Sequence, residues 1–404
     1  MKKNLAYLYG ATFFSGLGTG MLLVLVNWII LKTYGSSTLI GGLTAASYFV
    51  CFIALPQVSL WLDKFIKRKL LGSIYVVAGL MQLLFAALLF VGVELLYVIM
   101  ASTIMSVLVR MSDQMARLAI AQSIAPEGEI RQVSRHLEVV RQGITLVSGA
   151  ITAWFINELS MQTMLIVDAL TYFMGLLLLL QLAPTREDSP ARVDAVKQSR
   201  VEAFKESVAF FSQHQYFFFL MIFSIAIYVM ILAQNALHPA HVEQILQEGG
   251  ETYAIIGAVF GLGALLGPAI SSAFHKYAVN KEFIISFGFG IYIAANMTIV
   301  LIPHIWATYI SLVLFSASHS LIRVERMAFM MEYTPKDIIG RISGSFELIG
   351  LSLVIFFTAS IGFIIDTLGA QAAWFAMLLL LLVNFICLLA CILKGRRHAV
   401  LKKV

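Results

Sequence analysis

Charge is scarce in this sequence. Of 404 residues, 12% are Asp, Glu, Lys or Arg and 60% are hydrophobic, more apolar surface than one water-soluble core can bury. Lipid must therefore be the solvent for much of the chain. Cysteine is scarcer still. Cys51, Cys387 and Cys391 lie in apolar runs at spacings that make neither a disulfide framework nor a metal site, so neither redox chemistry nor a cofactor is expected. No P-loop, nucleophile elbow or metalloprotease motif occurs, which argues against direct use of ATP and against an enzyme. No small-x-small cleavage site closes the first apolar run, which reads as a retained span rather than a signal.

What is present is length in apolar runs. A bilayer span takes roughly 20 apolar residues, and twelve stretches qualify, near 6–31, 38–61, 71–92, 95–120, 133–157, 161–183, 216–237, 252–274, 283–302, 305–329, 339–364 and 371–393. The expected fold is an all-α membrane protein of twelve transmembrane helices in two six-helix bundles, 1–183 and 216–404. The charged linker 184–215 joins them, and its part from Val201 to His214 has helical spacing suited to the membrane interface. Net charge is +6, but its placement matters more than its sum. Apart from Lys32, the basic residues outside the spans fall on alternate loops, from Lys2 and Lys3 to the tail at Lys403. That places both termini in the cytoplasm, in a bacterial inner membrane, and requires an even number of spans. The partners implied are lipid and a small molecule rather than nucleic acid, for a chain read as a monomer.

The two halves carry a repeat. With Pro126 set against Pro335, Arg117 matches Arg326, Ser134 matches Ser343 and Glu138 matches Glu347, without a gap. Like charges recurring inside apolar segments point to duplicated machinery.

Six plus six spans, inside termini and a charged central loop resemble the major facilitator superfamily over essentially the whole chain. Its loop signature, Gly-x-x-x-Asp-Arg-x-Gly-x-basic-basic, is met from Ser59 to Lys69 by Asp63, Lys64, Arg68 and Lys69, with Ser59 and Ile66 in place of glycines; Ser271 to Lys281 is a fainter copy. The segments Ala121–Pro126, Asp168–Phe173 and Gly340–Gly344 are similar to the branch holding siderophore exporters and macrolide efflux pumps. The Gly-Pro pair of an antiporter signature is absent from span five, where Gly143 and Gly149 stand alone.

Charge inside a span costs several kcal/mol, so such residues normally face a cavity or one another. Arg117 is expected to pair with Glu138 and Arg326 with Glu347, as cytoplasmic latches or as static braces. The resemblance adds Asp63, Lys64 and Arg68 to that gate. Charges without a repeat partner suit a ligand instead. Arg110, Asp113 and Arg117 share one helical face, and His319 and Arg323 are four apart. Together with Arg141, Tyr228 and Asn235 they form the candidate substrate site, and arginine forks favour a carboxylate. Asp113 and Glu325 could instead cancel that field. Asp113, Glu325 and Asp168 are the candidate proton carriers, with Asp168 alternatively a structural cap through Thr171 or Tyr172. His238 and His241 lack a third ligand for a metal. The function expected is secondary active export of an organic anion such as a carboxylate siderophore, with proton coupling as an option. Import of a chelate or nutrient, drug efflux and a non-transporting sensor are the alternatives.

Overall fold

The computed structural model describes residues 2–124, 130–183, 200–277, 279–335 and 338–401. Every regular element among them is helical. In chain order these are α1 (Lys2–Tyr34), α2 (Ser37–Lys64), α3 (Lys67–Phe90), α4 (Leu95–Ile124), α5 (Ile130–Phe155), α6 (Met161–Leu180), α7 (Arg200–Gln213), α8 (Gln215–Ala240) and a π-helical turn (His241–Leu246). After them come α9 (Gly250–Ala264), α10 (Leu266–Lys276), α11 (Lys281–Leu301), α12 (Ile305–Tyr333), α13 (Ile339–Leu368) and α14 (Ala370–Leu401).

Among the described residues, eleven stretches are long and apolar enough to cross a bilayer, α8 running on through the π turn and α9 with α10 counting as one. The expected span that is not among them is α5, which is long enough but carries Glu138 and Arg141 in the segment that should be apolar. The linker helix is present as α7; the rest of the linker, 184–199, lies outside the described residues. Breaks between helices follow local chemistry. Gly35 at φ 62° and Gly369 at φ 88° supply the left-handed backbone that ends one helix before the next. Ser36 then caps α2 by accepting from the Leu39 amide, and Ser160 caps α6 from Thr163. Between α9 and α10, Pro268 in the first turn of α10 removes the amide that would have bonded Ala264, and the helix breaks at Leu265.

The chain packs as two compact units. The first holds α1 to α6 together with Glu248–Gly261, most of α9; the second holds α7, α8 with its π turn, and α10 to α14. In the first, α1 lies against α6, α5 and α4, α3 against α6 and α4, and α2 against α4. Their core includes Leu8, Tyr75, Ala116 and Tyr172. In the second, α8 lies against α13 and α14, α11 against α12 and α14, and α10 against α12. First span on fifth and sixth, third on fourth and sixth, second on fourth: the pairings are the same in both units, so the repeat seen in the charges is also a repeat of architecture.

Where α1 crosses α6, Gly18 leaves no room for a side chain: an added Cβ would lie 2.8 Å from the Asp168 Cα. Gly18→Val should cost about 1–3 kcal/mol by overpacking, read as a lower melting temperature in detergent. Gly42→Ala, with nothing within 4 Å of the new carbon, should leave the melting temperature unchanged or slightly raised.

Candidate functional site

The first unit holds two buried acids, each in its own hydrogen-bond network. Asp113, at the middle of the charged face of α4, is buried. One carboxylate oxygen accepts a hydrogen bond from the Tyr75 hydroxyl on α3 at 2.8 Å, and the other pairs with Arg117 one turn on at 2.7 Å. Tyr75 lies 3.0 Å from the Ser15 hydroxyl on α1, and Arg117 also reaches the Thr12 carbonyl at 3.5 Å. Two expectations are corrected here. Asp113 is not a cavity wall for substrate, because both of its oxygens are engaged in the core. The carboxylate bound by Arg117 is Asp113, at i−4, where Glu138 was expected; Glu138 takes Arg141 in a two-pronged pair at 2.8 and 3.1 Å, and Gln142 at 2.6 Å. Both ends of the Arg117–Asp113 ion pair lie on α4, and each end also bonds a neighbouring helix, Arg117 the Thr12 carbonyl of α1 and Asp113 the Tyr75 hydroxyl of α3.

The second network surrounds Asp168 on α6, also fully buried. It accepts from the Gln82 amide on α3 at 2.7 Å and from the Thr19 hydroxyl on α1 at 3.2 Å; Thr19 in turn meets Tyr172 at 2.8 Å. Thr171 bonds only the backbone carbonyl of Asp168.

Arg110 differs from these residues. It stands at the midpoint of α4, is exposed, and makes one hydrogen bond among the described residues, from Nη2 to the Tyr48 hydroxyl at 3.2 Å. Lower on the same unit, Thr12, Gln114, Arg117, Glu138 and Arg141 line a half-open cleft of about 130 Å³. Of the expected gate, Arg68 donates to the Leu182 carbonyl just past the end of α6, where a cation complements the helix dipole. Lys64 is exposed, and the Asp63 side chain lies outside the described residues.

In the second unit, Tyr228 on α8 stacks on His319 of α12, ring centres 6.3 Å apart, with Arg323 one turn beyond. Asn235 is exposed, nearly two turns further along α8. Arg326 donates to the Ser224 carbonyl on α8 at 3.3 Å, and the Glu347 carboxylate on α13 attracts it through space. Glu325 is fully buried, and its partners were not foreseen: the Ser271 hydroxyl at 2.5 Å and the His275 ring at 3.0 Å, both on α10. The available signal was the four-residue spacing of Ser271 and His275 on a helix face. His241 spends one ring nitrogen on Thr308 and the other on the Trp374 indole, so neither is left for a metal.

The Asp113 pair yields a stability test. Asp113→Asn strands the Arg117 guanidinium, which is 11% exposed, and should destabilise the protein by about 3–5 kcal/mol. Adding Arg117→Met should restore most of that loss in a double-mutant cycle of thermal unfolding. Additive losses would show that the two side chains do not act as a pair.

A family model described as the Major Facilitator Superfamily matches residues 8–359. No curated protein sequence matches at a significant level. Among solved structures, the nucleoside transporter NupG superposes with a TM-score of 0.74 at 13% identity, covering 97% of this chain and 99% of that one. A POT family transporter in complex with 5-aminolevulinic acid gives 0.72 at 13%, over 96% and 95%. A bacterial homologue of the iron transporter ferroportin gives 0.70 at 11%, over 97% and 99%. At such identities the likeness is one of fold; the family match, over most of the chain, goes further. The chain is a multi-pass membrane transporter, not an enzyme, and belongs to the major facilitator superfamily.

Proposed function

We propose that the protein is a secondary active exporter of small organic anions, working by alternating access, with a carboxylate siderophore as the model cargo. One observation carries the anion reading: Arg110, at the midpoint of a membrane-length helix, is exposed and bonded only to a phenol among the described residues. A guanidinium has five N–H donors, and a neutral hydroxyl orients it without cancelling its charge. Four donors therefore remain for a carboxylate, which an arginine fork takes in bidentate fashion. Removal of Asp113 into the core supports the same reading, because the carboxylate that could have neutralised Arg110 from the next turn is committed to Arg117.

Within the second unit, this reading assigns His319, Arg323 and Tyr228 to substrate as well. The Arg326–Glu347 pair joins two helices and can open when they part, so the gate belongs there. Outward direction is supported by the resemblance of three segments to siderophore exporters and macrolide pumps, and the basic loops place both termini in the cytoplasm. The POT family structure holding 5-aminolevulinic acid, itself a carboxylate, shows that a protein of this fold can take such a ligand.

Citrate, with three carboxylates, is a suitable probe. Wild-type proteoliposomes should move labelled citrate across the membrane. Arg110→Gln should lower that flux by roughly 10- to 100-fold, the worth of a hydrogen bond to a charged group, with the melting temperature unchanged. Equal flux in the variant and the wild type would overturn the assignment of Arg110, and inside-out vesicles read the direction.

A further inference from the structure

Of the two buried acids of the first unit, Asp113 has a counter-ion in Arg117, while Asp168 has none among the described residues. Asp168 is 0% exposed, and its carboxylate is bonded by two neutral groups, the Gln82 amide at 2.7 Å and the Thr19 hydroxyl at 3.2 Å. A full charge held only in this way inside a bilayer is expensive. Oxygen is abundant around it, and part of that oxygen is unused. Gln82 also donates to the Ser106 hydroxyl of α4 at 2.9 Å, yet its carbonyl oxygen, Oε1, is buried with no hydrogen-bond partner among the described residues. Thr103, one turn before Ser106 on the same face of α4, is 6% exposed, and its hydroxyl is likewise buried and unpartnered among the described residues. The α1 backbone comes close as well: a Cβ on Gly18 would lie 2.7 Å from Asp168 Oδ1.

We propose that these groups bind a monovalent alkali cation, sodium in the first instance. Asp168 supplies the counter-charge, and Gln82, Thr19, Ser106 and Thr103 supply neutral oxygens, a ligand set suited to a hard cation. Rotating the Gln82 amide by half a turn puts Oε1 where Nε2 stands, beside both Asp168 and Ser106. The Thr19 and Asp168 oxygens, 3.2 Å apart, are spaced as neighbouring ligands of one small ion.

Charge decides which ion. One carboxylate cancels one positive charge, and a divalent ion would leave a second charge uncompensated in a site without water. Among the described residues no three His, Cys, Asp or Glu side chains gather to hold a transition metal. A proton cancels the charge too, but it bridges Asp168 to one further oxygen at most, whereas a cation engages the unused oxygens of both Gln82 and Thr103. Ser106 precedes Arg110 by one turn of α4, so the cation site lies one turn from the arginine assigned to the anion. Coupling between the two rests on the transport reading above; binding of the cation does not.

Radioactive sodium tests the binding on the full-length protein in detergent, without any substrate. The wild type should bind about one ion per chain, and sodium chloride should raise its melting temperature above that in choline chloride of equal ionic strength, because a ligand of the folded state stabilises it. Asp168→Asn should bind none. Thr103→Val removes a hydroxyl that no protein group bonds, so it is expected to fold even where Asp168→Asn does not. It should weaken sodium binding by about tenfold or more, the worth of a contact to a charged group. A wild type that binds no sodium, as a carboxyl serving protons alone would give, overturns the site; so does wild-type binding in Asp168→Asn or Thr103→Val. Sodium binding without citrate flux sinks the transport reading alone. Citrate flux without sodium binding sinks the cation site alone.

Discussion

An ionised side chain inside a bilayer has no water to fall back on, so each must find its counter-charge or hydrogen bonds on its own helix or on one packed against it. In the first unit, that constraint determines which helices touch. Asp113 on α4 draws in Tyr75 of α3, and through it Ser15 of α1; Arg117 closes the loop on the Thr12 carbonyl. Asp168 on α6 draws in Gln82 of α3 and Thr19 of α1. The same two helices, α1 and α3, supply polar groups to both acids, so the two networks fix α1, α3, α4 and α6 against one another. The apolar contacts among these helices would tolerate sliding; hydrogen bonds of 2.7–2.8 Å to a buried carboxylate would not.

Duplication explains part of this arrangement and divergence the rest. Arg117 and Arg326 each donate to a carbonyl of the first span of their own half, Thr12 on α1 and Ser224 on α8, so the role of these arginines has survived duplication. Their acidic partners have not. At the position of Asp113 the second half has Ile322, which is buried against Gly288, and no acid is available one turn back. Arg326 is consequently served from the next helix by Glu347. One substitution therefore separates an intrahelical ion pair from an attraction between two helices.

Membrane length was legible because apolar runs of about 20 residues recur along the chain; the break before Pro268, inside one expected span, was not. The repeat was legible because Arg117, Arg326, Glu138 and Glu347 stand in register. Choice of partner was not. Arg117 has acids at i−4 and across the loop, both within reach of a flexible side chain, and spacing alone cannot rank them; the position of Tyr75, which presents its hydroxyl to Asp113, decides it. The environment of Glu325 was hidden for another reason. Ser271 and His275 lie some fifty residues earlier, and the close approach of α10 to α12 at Gly267 brings them to the acid. Glycine spacing was visible in sequence, but the helix it faces is set by the tertiary fold.

A neutral partner and a charged partner do different things for an arginine, and the difference separates machinery from site. Arg117 and Arg141 have bonded carboxylates, which hold their geometry and also cancel their field, and Glu347 attracts Arg326 through space. Tyr48 does only the first for Arg110: its hydroxyl fixes one nitrogen and leaves the charge unopposed. In a low-dielectric span an unopposed guanidinium is costly, and exposure alone offsets that cost by admitting water when no ligand is bound. In the reading proposed above, a carboxylate would replace water with a counter-charge at a guanidinium already oriented by Tyr48. In that reading, the feature that makes Arg110 expensive for the fold is the one from which an anion would gain by binding there.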